Sequence, residues 1–75
     1  MKQLSIMLKS IEQVKTFVKE VSRIDRDVFL CPGRYVIDAK SIMGIFSLDL
    51  SKPLKVEIEN WDEEYMSIFQ KYLVE

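Results

Sequence analysis

The chain opens with an alternation. From Lys2 to Lys9, Leu4, Ile6 and Leu8 fall on one side while Gln3, Ser5 and Met7 fall on the other, the period of two that a half-buried strand requires. At Ser10 the period changes. Ile11, Val14, Val18 and Val21, with Phe17 beside them, recur at helical spacing, and Glu12, Lys15, Lys19 and Glu20 cover the opposite side. Ser10 followed three residues later by Gln13 fits a capping box, so the helix is expected to begin there. The polar stretch Ile24-Asp25-Arg26-Asp27 marks its exit. Val28 to Cys31 and Tyr35-Val36-Ile37 are two short β-rich runs about Pro32-Gly33, the signature of a hairpin.

Ala39 to Leu50 is densely apolar, yet Gly44 weakens any helix there. The expectation is a short helical turn followed by a loop. After Ser51-Lys52-Pro53, Leu54, Val56 and Ile58 alternate with Lys55, Glu57 and Glu59, the clearest strand of the chain. Asp62-Glu63-Glu64 places acid in the first turn of a last helix, where the macrodipole favours it. The apolar stripe of that helix is Trp61, Tyr65, Ile68, Phe69, Tyr72 and Leu73. The order β-α-β-β-α-β-α predicts an open-faced α+β sandwich, a four-stranded antiparallel sheet with helices on one face.

Composition narrows the function more than the fold. Seventy-five residues make one small domain, 1–75, and eleven basic against twelve acidic residues leave a net charge of −1. That balance excludes a nucleic-acid binder driven by counterion release and offers no attraction to anionic lipid. One cysteine, Cys31, excludes a disulfide framework or a cysteine-rich zinc site. The apolar runs are short and charge-broken, and no signal peptide is visible, so a soluble, cytoplasmic protein without cofactor is expected. The chain contains no histidine.

Lys40-Ser41-Ile42-Met43-Gly44-Ile45-Phe46-Ser47-Leu48 resembles the segment around the regulatory serine of HPr, the phosphocarrier of the bacterial sugar phosphotransferase system. The order of elements is also that of the HPr fold, and the match runs without a gap from about Lys15 to Glu59. The family carries a phosphoryl group on the histidine of a His-Ala-Arg-Pro stretch heading its first helix. Extending the alignment backwards sets Ser10-Ile11-Glu12-Gln13 there. Phosphoryl relay needs an imidazole nitrogen that is both nucleophile and good leaving group, with a cationic side chain beside the phosphoryl oxygens. A serine ester would be stable, and Glu12 would repel it. The expectation is a non-enzymatic member similar to catabolite-repression HPr, which lacks the histidine and acts as a co-regulator.

Four positions then stand out, each with a plainer role beside the functional one. Ser41 matches the serine that HPr kinase/phosphorylase modifies, and it is also a natural helix N-cap. Met43 and Phe46, three apart on one helix face, match a patch that in the family meets protein partners, with Lys40 beside them; the alternative is that they close the core. Ser10 is foremost a cap. The acidic residues Glu57, Glu59, Asp62, Glu63 and Glu64 lack a ligand spacing and read as a solvated face. Cys31 reads as packing, with nothing basic adjacent to activate it except Arg34 beyond the turn. The resemblance implies HPr kinase/phosphorylase or a catabolite-control transcription factor as partners, and no metal. A shortened first strand would leave an edge over Lys2–Leu8, so a monomer or weak homodimer is expected.

Overall fold

The computed structural model describes residues 2–74. Four strands, β1 (Lys2–Ile6), β2 (Val28–Leu30), β3 (Ile37–Asp38) and β4 (Leu54–Ile58), form one antiparallel sheet in the order β1-β4-β2-β3. β4 lies between β1 and β2, and its alternation is preserved there: Leu54, Val56 and Ile58 are all buried, and Lys55 between them is exposed. Its register sets Val56 opposite Leu4 on one side and Leu30 on the other. Ile6, Val28 and Leu30 complete the covered face. The opposite face carries Gln3, Ser5, Lys55 and Glu57, with Gln3 Nε2 donating to Glu57 Oε2 at 3.2 Å.

Helix α1 (Ile11–Val21) lays Val14, Phe17 and Val21, none with any exposed surface, on that covered face. Burial of each such side chain stabilises the fold by roughly 1.5–3 kcal/mol. Phe17 is the pivot, meeting Phe69 and Tyr72 edge-on with ring centroids 6.0 and 5.4 Å away. The short α2 (Ile42–Phe46) buries Ile45 and half-buries Ile42. The last helical stretch is a 3-10 turn at Glu63–Tyr65, α3 (Met66–Phe69) and a second 3-10 turn at Gln70–Tyr72. Helices on one face and a polar sheet on the other make the open-faced sandwich expected from the pattern.

Several expectations need correction. Ile11 is 63% exposed and stands outside the core, because the first helical residue lies at the rim of the layer. Tyr35 and Val36 are not strand residues. β2 and β3 pair as Phe29 with Asp38 and Leu30 with Ile37, so residues 31–36 form a wider loop through Gly33, whose φ of +74° suits glycine. Along the last helix only Phe69 and Tyr72 are buried; Trp61, Tyr65 and Ile68 pack partly against the core. Leu73 is exposed, since the backbone turns extended there (φ −60°, ψ 141°). Ser67 also donates its hydroxyl to the Glu64 carbonyl at 2.9 Å, a back-bond that competes with regular helix.

That extended end covers part of the edge expected to be open. Met7 N–H donates to the Tyr72 carbonyl and Val74 N–H to the Ser5 carbonyl, both at 2.9 Å, and Ile6 bridges Leu73. The outer edge of β1 is thus paired over Ser5–Met7. Glu20 holds the same segment from the other side. Its Oε1 accepts from Lys71 Nζ at 2.8 Å and from the Tyr72 hydroxyl at 3.2 Å.

Candidate functional site

The two serines flagged by the sequence are both N-caps. Ser10 has an extended backbone (φ −152°, ψ 162°), and its Oγ accepts from Gln13 N–H at 3.1 Å. The reciprocal arm of the expected capping box is displaced by one residue: Gln13 Oε1 accepts from Lys9 N–H at 2.7 Å, not from Ser10. Glu12 sits in the first turn, its charge complementing the dipole. The head of α1 therefore presents a hydroxyl already engaged as an acceptor, beside a carboxylate.

Ser41 caps α2 in the same way. It is half-buried, and its Oγ accepts from Gly44 N–H at 3.2 Å. The five residues that follow divide by face, with Phe46 at the boundary. Ile45 is buried and Ile42 packs against the core, while Met43 is 77% exposed and Phe46 40% exposed. Phe46 thus has more than half of its surface covered, so it belongs partly to the core and partly to the surface. Gly44 explains how α2 seats so closely. A Cβ on it would lie 2.9 Å from Ile37 Cγ2 and 3.2 Å from Ser41 Oγ.

Lys40 does not join Met43 and Phe46 as a displayed side chain, as the sequence led us to expect. It is half-buried, and its ammonium donates to the Ile24 carbonyl at 2.8 Å. The reason is tertiary: the fold brings the Ile24 carbonyl, in the turn just beyond α1 and sixteen residues earlier, beside the start of α2. Two exposed apolar groups escaped notice in the sequence, Ile11 on α1 and the pair Tyr35-Val36 on the β2–β3 loop. Helical spacing assigned Ile11 to the apolar face, and β-forming residue types placed Tyr35 and Val36 in a strand.

The remaining candidates are chemically quiet. Cys31 is half-buried, and burial first, then the Glu57 carboxylate, push its thiol up; a raised thiol is a poor nucleophile at neutral pH. Among the described residues no group of three or more acidic, cysteine or histidine side chains could hold a metal ion. No helix among them is long and apolar enough to cross a membrane. The electrostatic node at Glu20 is structural. The hydrogen bond from Lys71, with that from Tyr72 beside it, holds Glu20 below the ordinary carboxylate range against its own burial. Burial, and then the Glu20 carboxylate, push the Tyr72 phenol up to about 12.

The chain is similar over its whole architecture to a solved structure described as the crystal structure of HPr-C-His from Thermoanaerobacter tengcongensis. The TM-score is 0.78 at 26% sequence identity, covering 95% of this chain and 89% of that one. Among proteins with curated descriptions, none matches this chain. The family model described as PTS HPr component phosphorylation site matches residues 12–71, from the first turn of α1 to the Lys71 that grips Glu20. With the family model spanning most of the chain and the fold matched at that TM-score, the chain belongs to the HPr family of the phosphotransferase system.

Proposed function

We propose that this HPr-family chain acts through protein–protein contacts without carrying phosphohistidine, and that Ser41 is a site of regulatory phosphorylation. The observation that carries the first half is the absence of histidine from the sequence. Ser10, at the position the alignment assigns to the family's phosphoryl acceptor, caps α1 with Glu12 two residues on. A hydroxyl ester there would neither form easily beside a carboxylate nor pass its phosphoryl group onward. The second half is supported by the retained Lys-Ser-Ile-Met-Gly motif and by the exposure of Met43 and Phe46 beside Ser41. Methionine is adaptable and phenylalanine supplies contact area, which suits a partner surface.

The resemblance names HPr kinase/phosphorylase and a catabolite-control transcription factor as the partners to try, in a cytoplasmic setting. Incubation with HPr kinase/phosphorylase and ATP should add the mass of one phosphate, lost in Ser41→Ala. Incubation with enzyme I and phosphoenolpyruvate should leave no acid-labile phosphate on the protein. A stoichiometric acid-labile label would end the non-carrier reading. The Ser41 Oγ contact to Gly44 N–H favours a second reading, a structural HPr-fold module or subunit in which Ser41 is a cap alone. Kinase treatment without mass gain would select it.

A further inference from the structure

Lys40 is bonded at both ends. Its backbone N–H donates to Asp38 Oδ1 at 2.9 Å, and its Nζ donates to the Ile24 carbonyl at 2.8 Å in a partly buried setting. The second bond spans from the residue before Ser41 to the close of α1, where Arg23 N–H donates to the Glu20 carbonyl and Ile24 N–H to that of Val21. One lysine therefore ties the start of α2 to the α1–β2 loop. Its surroundings are mixed in charge: Asp25, Arg26, Asp27 and Glu59 line the same cleft. The Arg26 guanidinium is occupied by its neighbour, donating to the Asp25 carbonyl at 2.6 Å.

We propose that Lys40 is a positioning residue that reads the state of Ser41: a phosphate on Ser41 draws the Lys40 ammonium off the Ile24 carbonyl and loosens the close of α1. The proposal rests on the reading of Ser41 as a phosphorylation site and adds where the signal emerges. The argument is one of competing acceptors. The Ile24 oxygen is a neutral carbonyl, whereas phosphoserine brings close to two negative charges and three strong acceptor oxygens on the next residue, within the swing of a four-carbon stem. The ammonium makes both bonds charge-assisted, but only the phosphate adds a full ion pair of opposite charges to the hydrogen bond. Asp25, Asp27 and Glu59 offer only single charges to the lysine, and they repel the phosphate away from their own side of the cleft. Once Lys40 has moved, the Ile24 carbonyl loses its donor, and the Arg23 and Ile24 amides lose the brace on their turn.

The test uses phosphoserine placed at position 41 during translation, so that no kinase is required. Amide hydrogen exchange of Arg23 and Ile24 should speed up about tenfold, the value of one hydrogen bond to a charged group, while Val14 and Val56 keep their protection. Lys40→Gln should give the same acceleration without phosphate, and phosphoserine added to it should give no more. In the unsubstituted chain the Asp25 amide resonance, on the peptide unit of the Ile24 carbonyl, should shift with the phosphate; this reading stands even if Lys40→Gln fails to fold. Unchanged exchange and an unmoved Asp25 resonance in the phosphoserine protein would overturn the proposal, as would equal acceleration in the Lys40→Gln protein upon phosphate addition. Refusal of Ser41 by the kinase would instead remove the regulatory reading and leave this coupling measurable.

Discussion

Replacing Gly44 by alanine sets two effects of known size against each other. In a helix interior alanine is favoured over glycine by about 1 kcal/mol. The new Cβ, however, would stand 2.9 Å from Ile37 Cγ2 and 3.2 Å from Ser41 Oγ, where carbon pairs prefer roughly 3.5–4.0 Å. Relief requires α2 to lift from β3 or Ile37 to leave its rotamer, and overpacking of this kind costs about 1–3 kcal/mol. A lifted helix also strains the Ser41 cap, itself worth about 1 kcal/mol. The balance is a net loss of about 1 kcal/mol, read as a lower urea midpoint at unchanged slope in far-UV circular dichroism. The decisive arm is the background. Ile37→Ala removes Cγ2, so Gly44→Ala should there become neutral or stabilising, with a coupling of about 1–2 kcal/mol between the two sites. A stabilising Gly44→Ala in the unaltered chain, or the same loss with and without Cγ2, would show that the close approach of α2 to β3 does not constrain position 44.

Four further outcomes are expected. Glu20 is held below its unfolded value, so between the two values the unfolded chain binds more protons; stability present above about pH 4.5 should fall as acid is added through the folded value, and Glu20→Gln should flatten that limb of a pH–stability curve. Tyr72, raised from 10.0 to about 12, works in the other direction: the unfolded chain ionises first, so stability should decline from pH 10 upward, and Tyr72→Phe should remove that decline if alkaline melting is followed. Phe46→Ala should cost about 1–2 kcal/mol, less than the ~3–5 of a buried phenylalanine, while weakening partner capture; a full-sized loss in denaturant titration would assign the residue to the core. Self-association through the uncovered part of the β1 edge should be weak at most, because Ser5–Met7 already pair with the C-terminal segment, and sedimentation at millimolar concentration measures it.

What could be read from the sequence was whatever is decided within a few residues. β4 announced itself through Leu54, Val56 and Ile58, and both caps through a serine three residues ahead of a free amide. The α2 segment was legible because a glycine inside an apolar run shortens a helix. The errors share a different cause. Ile11 has the right period but lies at the end of its helix, where the layer beneath it runs out. Tyr35 and Val36 have β-forming side chains, yet the pairing register of β2 with β3 carries them into the loop. Lys40 looked like a surface charge until the Ile24 carbonyl, sixteen residues earlier, was brought beside it. The pairing of Leu73 and Val74 with β1 joins opposite ends of the sequence, and no local pattern encodes it. The candidate site was therefore visible as a motif, while the orientation of its lysine was not.

The position of the sole tryptophan has a practical consequence for spectroscopy. Trp61 lies between Tyr65 and Phe69, at 5.7 and 6.1 Å between ring centroids, with the Lys2 ammonium 5.5 Å above its ring. This is the β1 side of the sheet, whereas α2 packs against α1 and β3 at the far edge. Intrinsic fluorescence excited at the indole should thus report the undocking of the C-terminal turns and remain silent when a ligand settles on Met43 and Phe46. Emission and affinity become independent readouts, so a titration that changes the first without a melting transition would signal a rearrangement reaching across all four strands.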